Sequence, residues 1–533
     1  LRAGIWPGRC RDDAQPNPRP TYPSLVSQIK QPHAIPRKAR IRFNGRQGQT
    51  QKPFDFRAGS SGRGAVRECE KGGSVNYQEF LAQKQSRIKT QGFEPGSVPE
   101  LLFPFQRDLT KWAIRKGKAA IWAGCGLGKT LMQLSWADQV SRYTGKPVLI
   151  LAPLAVSTQT QEEAKKIDLS VTRYGAGDLQ ITNYEQLHNV DSSLFSGIVL
   201  DESSCLKSFT SKHKNQIIDM FKYTPYKLCC SATPSPNDFT EIGNHSEFLD
   251  ICSRSEMLST YFVHDSGETQ KWRLKGHAEK EFFKWLATWA VMLNTPSDIG
   301  YDDNGFVLPK INYYQHIVKS KIADGFLFHQ MASTLNERRQ ARKESLEERC
   351  SLAASLSAGS DEPWLYWCDL NAESTTITQK IHGAAEVTGS MKSDTKESRM
   401  IGFSKGDFKK LVTKAKIAQF GMNWQHCNNM VFVGLSDSFE AFYQAVRRCW
   451  RFGQKKPVNV HIVISEKEGS VLENIRLKEL KAEQMQKKMI ECMADISRKE
   501  INNTTKQTIE YKPNKKMEVP AWMLSDKNLA KTG

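Results

Sequence analysis

Three short stretches of this chain carry residue types that act on phosphates. The first is Ala123-Gly124-Cys125-Gly126-Leu127-Gly128-Lys129-Thr130. It follows the apolar run Ala119 to Trp122 and precedes a helix-like pattern from Leu131 to Val140. Strand, glycine-rich loop and helix in that order are the context of a Walker A phosphate loop. Gly124, Gly126 and Gly128 let the backbone turn tightly and aim its N–H groups at one point. The helix N-terminus and the Lys129 ammonium add positive charge, and the Thr130 hydroxyl suits Mg²⁺. Ala123 stands where the pattern opens with glycine, and a flexible loop that merely contains three glycines is the competing reading.

The second stretch is Asp201-Glu202, which ends the run Gly197-Ile198-Val199-Leu200. Triphosphate hydrolysis needs a metal, a base that orients water, and positive charge on the γ-phosphate. Asp201 would hold Mg²⁺ and Glu202 would polarise the attacking water. The third is QAVRRCWRFGQ, residues 444–454. Gln444, Arg448 and Arg451 are spaced i, i+4 and i+7 and so share one face of a helix, with Arg447 at its margin. A basic nucleic-acid helix explains the arginines but not their register with Gln444, whereas a pair of arginine fingers explains both.

Buried strands must deliver these groups to their C-terminal ends, where an open α/β sheet places its ligands. Further apolar runs occur at Val148 to Ala152, Gln180 to Thr182 and Lys227 to Cys230. They alternate with helical stretches and predict a parallel α/β sheet. A second such series runs from Trp364 to Cys368 through Glu386 to Ser390, Leu411 to Lys414, Met430 to Val433 and Val458 to Ile464. It has no phosphate loop, which points to one nucleotide held between two lobes. The expected division is a first lobe over 75–235, a helical, aromatic-rich insertion over 236–310 and a helical linker over 311–362. A second lobe over 363–465, a C-terminal helix over 466–500 packed on that lobe and a loose tail over 501–533 follow. The charged run holding Arg338-Arg339 and Arg342-Lys343 reads as a solvated helix face or a backbone-phosphate contact.

The chain has 533 residues, enough for two or three domains, and a formal net charge of +19 that suggests a polyanionic partner. Residues 1–74 hold 15 Lys/Arg against 5 Asp/Glu and 8 of the 22 prolines. That composition cannot bury enough surface to fold alone. It reads as a disordered leader, a basic arm or a mis-assigned start. Twelve scattered cysteines without a CxxC pair give no zinc or disulfide framework. No apolar run reaches bilayer length and no signal peptide opens the chain, so a cytoplasmic protein with no membrane partner is expected.

Phe105-Gln106, AGCGLGKT, DESS, SATP and QAVRRCWRFGQ, in this order, resemble the motif set of superfamily-two helicases and translocases. KIAQFGMNWQ (416–425) and the closing RFGQ resemble the Swi/Snf-like branch, above all its bacteriophage- and prophage-encoded helicases of DEAD/DEAH-like type. The resemblance covers roughly residues 76–500. It implies two RecA-like lobes with ATP in the cleft and DNA across both. It further implies that Gln106 reads adenine and that Lys129 and Thr130 hold phosphate and Mg²⁺. Ser231 and Thr233 couple the ATP site to DNA, and Gln444, Arg448 and Arg451 complete the site from the second lobe. Pro153, Asn183, Lys414 and Asn423 lie near the nucleic-acid backbone in such enzymes. The sequence departs from the family at Ser203-Ser204, where the fourth motif position is usually histidine.

The leading expectation is an ATP-dependent translocase or helicase on duplex DNA, working beside phage or host replication and repair proteins. An RNA helicase is the alternative within the enzyme class. An ATP-gated nucleic-acid clamp without turnover is the alternative outside it.

Overall fold

The computed structural model describes residues 91–153, 157–207, 212–265, 268–319, 335–418, 422–436 and 438–502. The leader expected over 1–74 and the tail from 503 onward lie outside the described residues.

Two parallel sheets form, because the apolar runs are short, bounded by turns and, in the central strands, buried on both faces. The first sheet contains β1 (Lys118–Ala123), β2 (Val148–Ala152), β3 (Thr172–Arg173), β4 (Leu179–Asn183), β5 (Gly197–Asp201) and β6 (Tyr226–Cys230). After an antiparallel hairpin, β7 (Phe262–Asp265) and β8 (Glu268–Leu274), β9 (Ala290–Leu293) returns to that sheet beside β1. Its order is β3-β4-β2-β5-β6-β1-β9. The second sheet uses β10 (Ile311–Val318), β11 (Trp364–Cys368), β12 (Ala384–Val387), β13 (Lys410–Lys414), β14 (Asn429–Val433) and β15 (Val458–Ser465). Its order is β10-β15-β14-β11-β13-β12.

Two expectations change here. Residues 236–310 are not a separate insertion. They contribute the edge strand β9, and Phe282, Phe283, Trp285 and Trp289 sit in the core of the first lobe. Nor is the stretch from 311 a purely helical linker, since β10 pairs with β15 over its whole length. In both cases the strand lies far along the chain from its partner, so local pattern does not betray it.

Helices α1 (Pro104–Lys116), α2 (Lys129–Thr144), α3 (Ile242–Phe248) and α4 (Glu279–Ala287) surround the first sheet, and α5 (Phe439–Val446) lies on the second. The final helix α6 (Gly469–Asn502) has 34 residues and, at 1.5 Å per residue, is about 50 Å long. It does not pack on the second lobe alone. Val471, Leu472, Ile475 and Ala482 enter the second lobe's core, while Met489, Ile490 and Met493 enter the first's. Ion pairs Lys488–Glu279 at 2.7 Å and Lys116–Glu500 at 2.6 Å tie its far half to α4 and α1. Its apolar stripe simply outruns one lobe.

Arg342 is neither solvated nor open to a phosphate. Its Nε meets Glu468 at 2.8 Å and its Nη1 meets Asp369 at 2.5 Å. Arg349, fully buried, meets Glu373 at 2.7 Å. These pairs clamp the strand ends of the second sheet. Among the described residues no helix is long and apolar enough to cross a membrane.

Candidate active site between the two sheets

The phosphate loop leaves β1 and enters α2. Gly126 and Gly128 adopt φ of +91° and +74°, the left-handed region open to glycine. Side chains are excluded there for a second reason. A Cβ on Gly126 would approach the Phe452 backbone nitrogen to 2.8 Å, and one on Gly128 would meet Gln106 Nε2 at 2.2 Å. Gly124 instead anchors the loop to the sheet, its N–H donating to Leu293 O at 2.9 Å. Lys129 Nζ lies inside the loop and donates to Ala123 O and Gly124 O at 2.9 and 3.2 Å. Thr130 is the second residue of α2.

Gln106 is buried in α1 beneath the loop. Its Nε2 donates to Leu127 O at 2.9 Å, and its Oε1 accepts from Phe103 N at 2.9 Å. One end of the amide therefore braces the loop and the other closes the first turn of α1.

Asp201 ends β5 and Glu202 follows it. Asp201 Oδ1 accepts from Gln133 Nε2 at 2.8 Å, one turn along α2 from Lys129. Burial raises the Asp201 carboxyl, while the Gln133 bond and Lys129 charge oppose the rise. Burial raises Glu202 to about 7 against the pull of Lys129, with Asp201 adding to the rise and Arg448 opposing it. Glu202 also takes φ of +59°, a strained conformation for a side chain with a Cβ. Past β6, Ser231 Oγ accepts from Thr233 N at 3.1 Å, and both residues are buried.

The second lobe meets this edge directly. Gln444 Nε2 donates to Glu202 Oε1 at 3.0 Å across 242 residues of sequence. Beside it, Lys207 pairs with Glu440, and Thr158 bonds Glu397. Gln444, Arg448 and Arg451 do not share one helix face, because α5 ends at Val446. The chain tightens there into i→i−3 turns, with Arg448 N donating to Ala445 O and Cys449 N to Val446 O. Trp424 N then captures Arg448 O, which holds the turn against the second sheet.

The two arginines nevertheless converge. Arg448 Nη1 donates to Met422 O at 3.2 Å and Arg451 Nη1 to the same oxygen at 3.4 Å. Arg448 is in electrostatic range of Asp201 and Glu202, and the Arg451 Cβ lies 3.6 Å from where a Gly126 Cβ would stand. Burial lowers both guanidinium pKa values, and Arg448's charge lowers that of Arg451 further. Two like charges beside a phosphate loop, Arg448 buried and Arg451 half-buried, favour an anion between them.

Pro153 follows β2 and Asn183 ends the neighbouring β4, with Ala152 opposite Asn183. Asn183 caps the turn after it, its Oδ1 accepting from Glu185 N and Gln186 N. Lys414 ends β13 in the other sheet, and Asn423 Oδ1 is buried without a partner among the described residues. Pro153, Asn183 and Lys414 thus lie at or just beyond C-terminal strand ends in two separate sheets, whereas Asn423 lies between Met422 and Trp424, whose backbone steadies the arginine turn.

Sequence reasoning missed an aromatic cluster at the mouth of the loop. Phe452 from the second lobe packs on Phe306 at 4.8 Å and Phe103 at 6.0 Å between centroids. Phe103 and Phe452 remain 41% and 38% exposed, unusual for phenylalanine beside a site. Their signal was present in FPFQ and RFGQ, where each flanks a motif residue.

The geometry is that of a phosphate loop on one α/β lobe completed by arginines from another. Residues 125–290 match the SNF2-related domain, and residues 352–453 match the helicase conserved C-terminal domain. The chain is a nucleic-acid-dependent ATPase. The first match begins inside the phosphate loop and ends at the first residue of β9, and the second ends at Gly453. A similar solved structure is the Sulfolobus solfataricus SWI2/SNF2 ATPase core in complex with dsDNA, 15% identical. The similarity covers 77% of this chain and 98% of that one at a TM-score of 0.36. No curated protein matches the chain.

The donor set also fits a hard cation. Thr130 and Asp201 offer oxygen alone, the ligand type Mg²⁺ takes beside a phosphate.

Proposed function

We propose that this ATPase is a translocase driven along duplex DNA by ATP hydrolysis in the composite site. The observation that carries the reading is the Gln444–Glu202 hydrogen bond, which ties the second lobe to the hydrolytic edge of the first. Lys129 and the loop N–H groups hold the triphosphate, and Thr130 and Asp201 hold Mg²⁺. The metal, when bound, neutralises charge on the β- and γ-phosphates. Glu202 orients the attacking water, with Gln444 fixing its carboxylate. Arg448 and Arg451 stabilise charge on the transferred phosphoryl group, and losing that charge after hydrolysis lets the lobes part. Ser231 and Thr233, next to the acids, relay this to the nucleic-acid face.

The SNF2-related match and the net charge of +19 support DNA as the track. Pro153, Asn183, Lys414 and Asn423 are the candidate backbone contacts on the two lobes. The motif resemblance supports a phage or prophage setting in the bacterial cytoplasm, beside replication or repair proteins. The test is steady-state ATPase activity with duplex DNA, single-stranded DNA, RNA or no nucleic acid. Duplex DNA should stimulate most. Equal or greater stimulation by RNA would overturn the DNA assignment, and no stimulation by any would overturn the motor.

A further inference from the structure

Glu202 has a problem that its own lobe must solve. Its left-handed φ of +59° is unfavourable for a residue with a Cβ and persists only where the surroundings fix it. On its N-terminal side, Asp201 is held in the sheet opposite Cys230, and Tyr184 Oη donates to Asp201 O at 2.6 Å. On its C-terminal side the chain enters a short 3₁₀ turn, Ser203–Lys207, with Cys205 N donating to Glu202 O at 3.1 Å.

That turn is gripped from below by two adjacent residues of α3. Asn244 Nδ2 donates to Leu206 O at 2.7 Å at its far end. His245 Nε2 lies 3.2 Å from Ser203 Oγ at its near end. His245 and Ser203 are both fully buried, and the Trp122 ring meets the imidazole edge-on at 5.5 Å. Burial holds the imidazole neutral, lowering its pKa to about 4, so it serves as a fixed hydrogen-bonding group at working pH.

We propose that His245 is a positioning residue for hydrolysis, holding Ser203 and thereby the left-handed turn that aims Glu202 at its water. The inference rests on Glu202 being the water-orienting base. It also links that base to the Ser231–Thr233 segment, because α3 follows that segment through the turn Phe239–Glu241. The side-chain hydrogen bond of His245 goes to Ser203 and not to a residue of the phosphate loop, so its loss should act on turnover more than on nucleotide binding. A displacement of about 1 Å in a catalytic group can cost on the order of a hundredfold.

The experiment uses the full chain with saturating duplex DNA and compares His245→Ala, His245→Gln, Ser203→Ala, the double alanine variant and Glu202→Gln. His245→Ala should lose about ten- to a hundredfold in kcat at unchanged KM for ATP. His245→Gln, whose amide reaches toward the same hydroxyl, should recover to within about threefold of the parent. Ser203→Ala should match His245→Ala, and the double variant should fall no further, as expected of residues acting in series. Parental kcat in His245→Ala would overturn the inference. So would multiplied losses in the double variant, or a glutamine variant as slow as the alanine one at equal melting temperature. If His245→Ala does not fold, parental kcat in Ser203→Ala overturns it equally. Near-parental turnover in Glu202→Gln would instead remove the base assignment on which the inference stands, whereas a slow Glu202→Gln beside a fast His245→Ala would sink His245 alone.

Discussion

The C-terminal edges of the two sheets make an unequal pair. The first presents its chemistry on strand ends: the loop after β1, the acids after β5, the Ser231 segment after β6. The second presents it on a turn beyond α5, steadied by Met422 O and Trp424 N. The first edge crowds acids, and burial raises their pKa values; the second crowds guanidiniums, and burial lowers theirs. Each edge is therefore poorly satisfied alone, and the charges of each improve the other. We propose that the first half-site binds and the second completes.

The sharpest way to break that division is to remove the arginines. Arg448→Ala and Arg451→Ala should each cut DNA-stimulated kcat by at least roughly a hundredfold, a floor about tenfold below the 10³–10⁵ range for arginine fingers. Affinity for ATP and for DNA should hold. Lys129→Ala should do the opposite first, losing nucleotide affinity. Preserved kcat with a shallower salt dependence of DNA binding would make the arginines DNA contacts.

A step smaller is the bond between the edges. Gln444→Ala leaves Glu202 without its partner from the second lobe. A hydrogen bond to a charged group is worth about 1.5–3 kcal/mol, so kcat should fall about ten- to a hundredfold at constant ATP affinity. Unchanged kcat would mean that the contact merely accompanies closure.

The same inequality explains what could be read from sequence. The first half-site is local. A strand, a glycine loop and a helix lie within Ala119 to Val140, and an apolar strand ends in Asp201-Glu202. Here residue order and three-dimensional order coincide. The second half-site is not local. The i, i+4, i+7 spacing assumed a continuous helix, but α5 stops at Val446 and tertiary bonds to Met422 and Trp424 bring the arginines together. Strands β9 and β10 were hidden for the same reason, since their partners lie some 170 and 147 residues away in sequence. His245, 42 residues beyond Ser203, carries no spacing signal at all.

Phe452 tests whether the second edge also contributes to binding. Its ring and that of Phe103, backed by buried Phe306, form an exposed apolar rim beside the loop, a surface on which a nucleobase could stack. An aromatic contact adds about 0.5–1.5 kcal/mol, so Phe452→Ala should raise KM for ATP about two- to tenfold with kcat little changed. A fall in kcat at constant KM would place Phe452 with the arginines.

The smallest effect concerns stability and separates the lobes by pH. On the second sheet, His316 Nε2 and His461 Nδ1 lie 3.0 Å apart, with Tyr314 stacked on His461 at 4.8 Å and Trp364 tilted against it at 5.7 Å. One ring must donate and the other accept, so the pair cannot keep this bond with both rings protonated. Burial, and then the neighbouring His316, lowers His461 to about 4, whereas an unfolded histidine titrates near 6.5. Between those values the unfolded chain binds the extra proton. Stability contributed by the pair is thus full above about pH 6.5, falls as pH drops toward 4 and levels off below. A shift of this size corresponds to about 3 kcal/mol, and solvent screening of a part-exposed ring reduces the expected effect to about 1 kcal/mol. His461→Gln should therefore flatten the loss of melting temperature between pH 6.5 and 4 while leaving kcat at pH 7 unchanged. An acid slope as steep as the parent's would move the sensitivity elsewhere, with buried His245 of the first lobe the next group to test.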